Sequence, residues 1–304
     1  MMNRIIVAQG TELQLKRLVA QRKLYSRAKQ ILFYQIAVTV MLVVVWSLVV
    51  LVFPGVKVYA ALWGLLAVAL DFAIFAPLQT SLKAKAAGIQ ELFDCDVLVL
   101  PWQEIKAGSP PDTETVTEWS KLKAKESYDS LKLRNRYPVE VVHAPLPIAR
   151  LICQRANCWW DAKLRRRYAV WVVGAIAGTF VFAALVGLLG EVSLEQFLLA
   201  AVMPFLPVFV IGIRQFTDQR QAASRLDDLK NHSERLWREA LSATVAADEL
   251  TRRSRTLQDE IFEQRRRNPL IPDWVYQKLR NEQEELMNRC AADLLTEARN
   301  VLCF

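Results

Sequence analysis

The sequence predicts a mainly α integral membrane protein: four transmembrane helices in two hairpins, a small α/β cytosolic insertion and a long C-terminal cytosolic helical hairpin. Three observations carry that prediction. Of 304 residues 53% are hydrophobic and 23% charged, yet charge is nearly absent from four stretches of about 20 residues and dense elsewhere. A bilayer imposes such segregation and a globular core does not. The four stretches fall into two pairs with short turns between them, and threading them across a bilayer leaves 38 of the 39 Lys and Arg residues on one side. That bias places both termini and the central segment in the cytosol.

Residues 1–30 set Leu13, Leu15, Leu18, Val19 and Leu24 among Lys16, Arg17, Arg22, Lys23, Arg27 and Lys29. The pattern is that of a basic amphipathic cytosolic helix, expected to lie on the membrane surface. The segment has no apolar h-region with a small-residue cleavage site, so it is not read as a removable signal. The first hairpin occupies residues 31–78. Ile31 to Phe53 carries no charge and is long enough for about 30 Å of hydrocarbon; Pro54-Gly55-Val56-Lys57 marks a turn, and Val58 to Leu78 is the second span.

Residues 79–167 read as the α/β insertion. Helix is expected over 79–93 and most of 112–133, and short strands at Val97-Leu98-Val99-Leu100 and Pro138-Val139-Glu140-Val141-Val142. The second hairpin occupies 168–216. Tyr168 to Leu189 contains Gly174, Gly178, Ala183, Ala184 and Gly187, small residues that let helices approach closely in lipid. Gly190-Glu191-Val192 is the turn, and Pro204 and Pro207 predict a mid-membrane kink in the span Ser193 to Phe216.

Residues 217–304 form the cytosolic helical, coiled-coil-like domain. Apolar or small residues from Leu226 to Ile261 repeat at alternating intervals of three and four, which predicts one long helix with a close partner. Asn268-Pro269-Leu270-Ile271-Pro272 ends it, and a last helix over about 274–301 folds back.

The chain offers little for catalysis, and it is read as no enzyme. His143 and His232 are far apart, no GxSxG or Walker loop is present, and no cofactor or metal is expected. The five cysteines form no CxxC pair and are expected as reduced thiols. Asp71 is the one ionisable residue deep in a span. Its cost in lipid makes it either a pore or ion-path carboxylate or an interhelical hydrogen-bonding group; with Pro204 and Pro207 it is a gating candidate.

Three cytosolic segments mix aromatic, acidic and basic residues: FDCDVLVLPW (93–102), RANCWWDAKLRRRY (155–168) and RNPLIPDWVYQKLR (267–280) with the arginines before it. Arginine offers forked donors to phosphate, and Trp and Tyr offer faces to bases. The candidates for contact with a small anionic nucleotide are Arg155, Asn157, Trp159, Trp160, Arg165, Arg265, Arg266, Trp274, Tyr276 and Trp102. For Arg165 to Arg167 the alternative is anchoring at a membrane entrance, where basic residues collect anyway. Asp94 and Asp96 are expected to pair with arginines rather than hold a metal.

The paired spans, the cytosolic insertion and those three segments resemble the four-transmembrane effectors associated with cyclic-oligonucleotide synthases in bacterial anti-phage systems of the CBASS type, the S-4TM family. The resemblance implies a cyclic di- or trinucleotide ligand and a synthase as functional partner. It also implies a homo-oligomer that permeabilises the bacterial inner membrane in abortive infection, and binding of neither DNA nor RNA. Two other classes fit the residues alone. One is an oligomeric ion channel or transporter, using Asp71 with Gln35, Thr39, Ser47 and Thr179; the other is a membrane scaffold that recruits a soluble partner through the helix with the alternating repeat.

Overall fold

The computed structural model describes residues 3–42, 45–46, 49, 52–122, 126–129, 131, 133–189, 203–242 and 244–302. In chain order the helices are α1 (Ile5–Gln9), α2 (Glu12–Ile36), α3 (Lys57–Leu70), α4 (Ala76–Leu98), α5 (Glu104–Ala107), α6 (Thr113–Trp119), α7 (Leu146–Leu189), α8 (Met203–Leu241), α9 (Ala247–Arg267) and α10 (Asp273–Leu302). A π-helical turn over Ala37–Met41 continues α2, and another over Asp71–Phe75 joins α3 to α4.

The insertion is helical, and among the described residues there is no strand. The expected strand at Val97 to Leu100 is instead the end of α4. Ile89, Phe93 and Val97 repeat every four residues on one buried helix face, and this packing overrides the β-branched composition. Val99, in the left-handed region at φ 55°, and Pro101 then stop the helix. The expected strand at Pro138 to Val142 is a 3-10 turn, Val139–His143, whose Val141 is fully buried. Asn3 Nδ2 holds the turn by donating to Val141 O at 2.5 Å and Ala144 O at 2.7 Å. Of the helix expected over 112–133, α6 is the only part seen among the described residues, capped by Asp112, which accepts from Thr115 N at 2.6 Å.

The long repeat from Leu226 to Ile261 is likewise two helices. Ser242 and Thr244 end α8: both hydroxyls bond the Glu239 carbonyl, drawing the chain out of helix. Asp248 and Glu249 then suit the N-terminus of α9, as Arg265 to Arg267 suit its C-terminus. Leu226, Leu236, Leu250, Leu257 and Ile261 are buried within the chain, so the stripe is not a free subunit interface. The apolar face of α2 also meets protein rather than headgroups, with Leu15, Leu18, Val19 and Leu24 all buried.

One core therefore joins the three stretches that the sequence separates as 1–30, 79–167 and 217–304. Leu15 and Leu18 of α2, Phe93 and Val97 of α4, Tyr137, Ile148 and Ile152 of α7, Leu236 of α8, Leu257 of α9 and Leu295 of α10 belong to a single cluster. The boundaries at 30/31, 78/79, 167/168 and 216/217 fall inside α2, α4, α7 and α8. The core is thus built on the same helices that carry the apolar stretches.

Among the described residues one helix, Leu62–Leu98, is long and apolar enough to cross a bilayer, and almost none of its apolar window is buried. Phe33, Leu65, Phe72, Val170, Phe180 and Ile213 are exposed along the four long helices, Phe72 to 78%. The spans expected at 31–53 and 193–216 lie partly outside the described residues, and the turn at 190–192 lies wholly outside them. Pro204 and Pro207 fall in the first two described turns of α8. Gly174 and Gly178 face open space. The close approach of α7 and α8 is made by Gly212, where a Cβ would sit 2.7 Å from Ile176 Cγ1.

The core is closed around a buried ion pair. Asp94 of α4 is fully buried and meets Arg265 of α9; it also accepts from Tyr137 Oη at 2.6 Å and Gln258 Nε2 at 3.1 Å. Beside it, Glu91 accepts from Arg255 Nη2 at 2.5 Å and Gln258 Nε2 at 2.9 Å. Asp94→Ala leaves Arg265 buried without its counter-charge and should lower stability by about 3–5 kcal/mol, whereas Asp94→Leu with Arg265→Met should recover most of the loss. Thermal unfolding of the detergent-purified chain measures both.

Candidate functional site

A cavity of about 320 Å³ lies where α2, the end of α4, the first half of α7, the end of α9 and the start of α10 meet. Its size is at the lower end of the range of small-ligand pockets. Of the residues singled out from sequence it brings together Asn157, Trp160, Arg165, Arg265 and Tyr276. Asn157 Nδ2 donates to Tyr137 Oη at 3.3 Å, and the Trp160 and Tyr276 rings lie 6.2 Å apart between centroids. Arg165 donates to Gln219 Oε1 at 2.8 Å and Pro269 O at 2.9 Å, and its Nε is 3.1 Å from Asp161.

The other five candidates are elsewhere. Arg155 pairs with Glu234 at 3.0 Å and, with Trp159, lines a separate cavity of about 100 Å³. Arg266 pairs with Glu263 at 3.0 Å on the outer face of α9. Arg265 and Arg266 are neighbours in sequence, but about 100° of helical rotation separates them, so only one faces inward. Trp274, 59% exposed, stacks on Trp171 at 5.1 Å between centroids, and Trp102 Nε1 donates to Gly108 O at 2.8 Å.

Sequence reasoning missed half of the wall. Gln21, Arg22, Tyr25 and Lys29 enter from α2, Gln90 from α4, and Asn135 and Arg136 from the segment before α7. The interval of seven between Arg22 and Lys29, two helical turns, was the available signal. Nothing local marks Arg136.

Five cations (Arg22, Lys29, Arg136, Arg165, Arg265) face three carboxylates (Asp161, Asp273, Glu284) around the cavity. Lys29 pairs with Asp273 at 2.5 Å, and Arg165 and Arg265 have Asp161 and Asp94. Arg22 donates to Leu131 O at 2.5 Å, and Arg136 meets the Gln90 amide oxygen. Among the described residues neither has a carboxylate at ion-pair distance, and Arg136 Nε is buried without a partner. Asn135, next to it, holds a left-handed backbone at φ 55°. The wall thus combines two guanidinium groups that have no carboxylate partner among the described residues with aromatic faces, a set whose donors suit phosphate oxygens and whose rings suit bases.

Asp94 and Asp96 take arginine partners, Arg265 and Arg17 respectively. Gln35 Nε2 donates to Asp71 Oδ1 at 2.5 Å and Gln79 Nε2 to Gln35 Oε1 at 2.7 Å. In this structure Asp71 is therefore an interhelical hydrogen-bonding group, with a π-helical turn on each of the two helices it joins.

The architecture is that of a helical membrane-type protein with a cavity lined by basic and aromatic side chains at the base of its long helices. Residues 3–294 match the family described as the SMODS-associating 4TM effector domain. The chain belongs to that S-4TM family, and is membrane-associated. It is 22% identical over 294 residues to a probable CBASS effector molecule of Bacillus cereus (strain VD146), a match that covers 92% of this chain and 94% of the relative. No solved structure matches the chain.

The cavity also buries a thiol. Burial pushes Cys158 up to about 12, and the same cause holds Cys95 at about 12 and raises Cys153. With a pKa near 12, about one molecule in ten thousand is thiolate at pH 8. Iodoacetamide at pH 8 should therefore label the exposed Cys290 and leave Cys95, Cys153 and Cys158 unmodified until the chain is denatured, as read by peptide mass spectrometry.

Proposed function

We propose that this chain is the non-catalytic membrane effector of a bacterial CBASS anti-phage system. A cyclic di- or trinucleotide made by a partner synthase enters the cytosolic cavity and rearranges a homo-oligomer. The four spans, with both termini cytosolic, then permeabilise the inner membrane and bring about abortive infection. The observation that carries the reading is the cavity itself: Arg22 and Arg136, without carboxylate partners at ion-pair distance among the described residues, share its wall with Tyr25, Trp160 and Tyr276. The family and the description of the Bacillus cereus relative agree with it.

The site fits the chemistry required. A cyclic oligonucleotide presents phosphodiester charges that cannot be protonated at cytosolic pH, and guanidinium donors stay charged there too. Attraction inside a partly dry cavity is screened less than at the surface. For activation the ligand needs higher affinity for the open assembly than for the closed one, and that difference drives the population shift. The Asp71, Gln35 and Gln79 bonds hold the first hairpin packed in the arrangement seen here, which describes a closed state rather than a standing ion path.

The test is dye release from liposomes holding the full chain, with a panel of cyclic di- and trinucleotides on the cytosolic face. One of them should trigger release, and Arg136→Ala should raise the concentration for half-maximal release by about 10–100-fold, the worth of one charge-assisted hydrogen bond. Folded, correctly oriented protein that releases dye with none of the panel would contradict the reading.

A further inference from the structure

The four long helices converge on one short piece of chain that belongs to none of them. Between α9 and α10, Asn268 to Asp273 accepts a side-chain donor from each in turn. Lys29 Nζ of α2 meets Asp273 Oδ1 at 2.5 Å, and Ser26 Oγ donates to its Oδ2 at 3.0 Å. Lys83 Nζ of α4 donates to Asn268 O at 3.3 Å, Arg165 Nη1 of α7 to Pro269 O at 2.9 Å, and Gln219 Nε2 of α8 to Leu270 O at 3.1 Å. Asn268, Leu270, Ile271, Arg165 and Gln219 are buried, so water does not readily replace these bonds. Pro269 and Pro272 stiffen the segment by fixing φ. The same residues form one wall of the cavity.

We propose that Asn268–Asp273 is a strap that holds the four membrane-directed helices in their resting arrangement, and that a phosphate-bearing anion in the cavity releases it by taking Arg165 and Lys29. The proposal rests on the membrane-effector reading above. Arg165 is the shared part, since its guanidinium lines the cavity and also bonds the strap through a neutral carbonyl. The bond to Pro269 O is charge-assisted on the donor side alone, and a phosphate oxygen makes it so on both sides and adds Coulomb attraction. Arg165 therefore exchanges Pro269 O for a phosphate oxygen when one is offered. At Lys29 the phosphate competes with the Asp273 carboxylate, one anion for another, and with both contacts exchanged α2 and α7 come free of the segment that ties them to α4 and α8.

Lys83 and Gln219 lie outside the cavity wall, and Gln219 Oε1 also accepts from Arg165 at 2.8 Å; with no nucleotide present, changing them tests the strap and not the ligand. Full-length Lys83→Met/Gln219→Leu protein in liposomes, with no nucleotide present, should release dye roughly tenfold or more faster than the wild type, since two resting-state bonds are gone. Pro269→Gly/Pro272→Gly keeps every donor and loosens only the strap backbone, and should change basal release in the same direction. Faster basal release from either variant with wild-type helicity supports the strap even if no cyclic oligonucleotide opens the wild type, a result that would remove the ligand and leave the strap. Wild-type basal release from both variants overturns the strap, including where a nucleotide opens the wild type and the effector reading stands.

Discussion

A carboxylate removed from water has to be met by donors, and Asp94 meets this requirement by binding three parts of the chain together. It sits on α4, the helix that continues into the apolar stretch, and it takes Arg265 from α9, Gln258 one helical turn pair earlier, and Tyr137 from the segment before α7. Glu91, one turn back on α4, binds Arg255 and Gln258 in the same layer. Burial and the charge of Asp94 hold Glu91 above the usual carboxylate range, while Asp94 and Glu91 hold Arg265 charged against its own burial. Such a layer contributes little net stability compared with apolar packing, but a slip of α4 against α9 would separate Asp94 from Arg265 and Glu91 from Arg255 and leave buried charges unpaired.

The site follows from that register. With α9 clamped to α4, Arg265 presents its flank to the cavity, and the chain leaves α9 at Asn268 directly beneath the four long helices. Side chains of α2, α7 and α10 close the remaining walls, so the cavity exists only when segments from both ends and the middle of the sequence are assembled. This arrangement places a pocket rich in basic side chains where the core and the apolar helices share backbone. A ligand there is a few hydrogen bonds from every helix on which it would have to act.

The sequence shows what is local and hides what depends on assembly. The apolar stretches and the basic asymmetry are legible because composition states them directly, and so is the need of Asp94 and Asp96 for arginine, although Arg17 as the partner of Asp96 is not. Asn157, Trp160, Arg165, Arg265 and Tyr276 are legible as residue types, and the fold gathers those five. Arg155, Trp159, Arg266, Trp274 and Trp102 have the same composition but point to other faces, which composition cannot show. Val97 to Leu100 looks like a strand from its branched side chains, yet the interval Ile89, Phe93, Val97 already states a helix. The repeat from Leu226 to Ile261 keeps its phase across the break between α8 and α9, and a pair of helices within one chain satisfies that pattern as well as one long helix does. Arg22 and Arg136 are 114 positions apart, and only the closed core makes them neighbours.

Hydrogen–deuterium exchange of the full chain in liposomes, with and without the cyclic oligonucleotide that triggers release, tests most directly whether the cavity is the receiving site. The account predicts protection around Arg22, Arg136 and Trp160, together with faster exchange at the amides of the strap, Asn268 to Asp273. Protection confined to surfaces away from the cavity, with the strap unchanged, would contradict it.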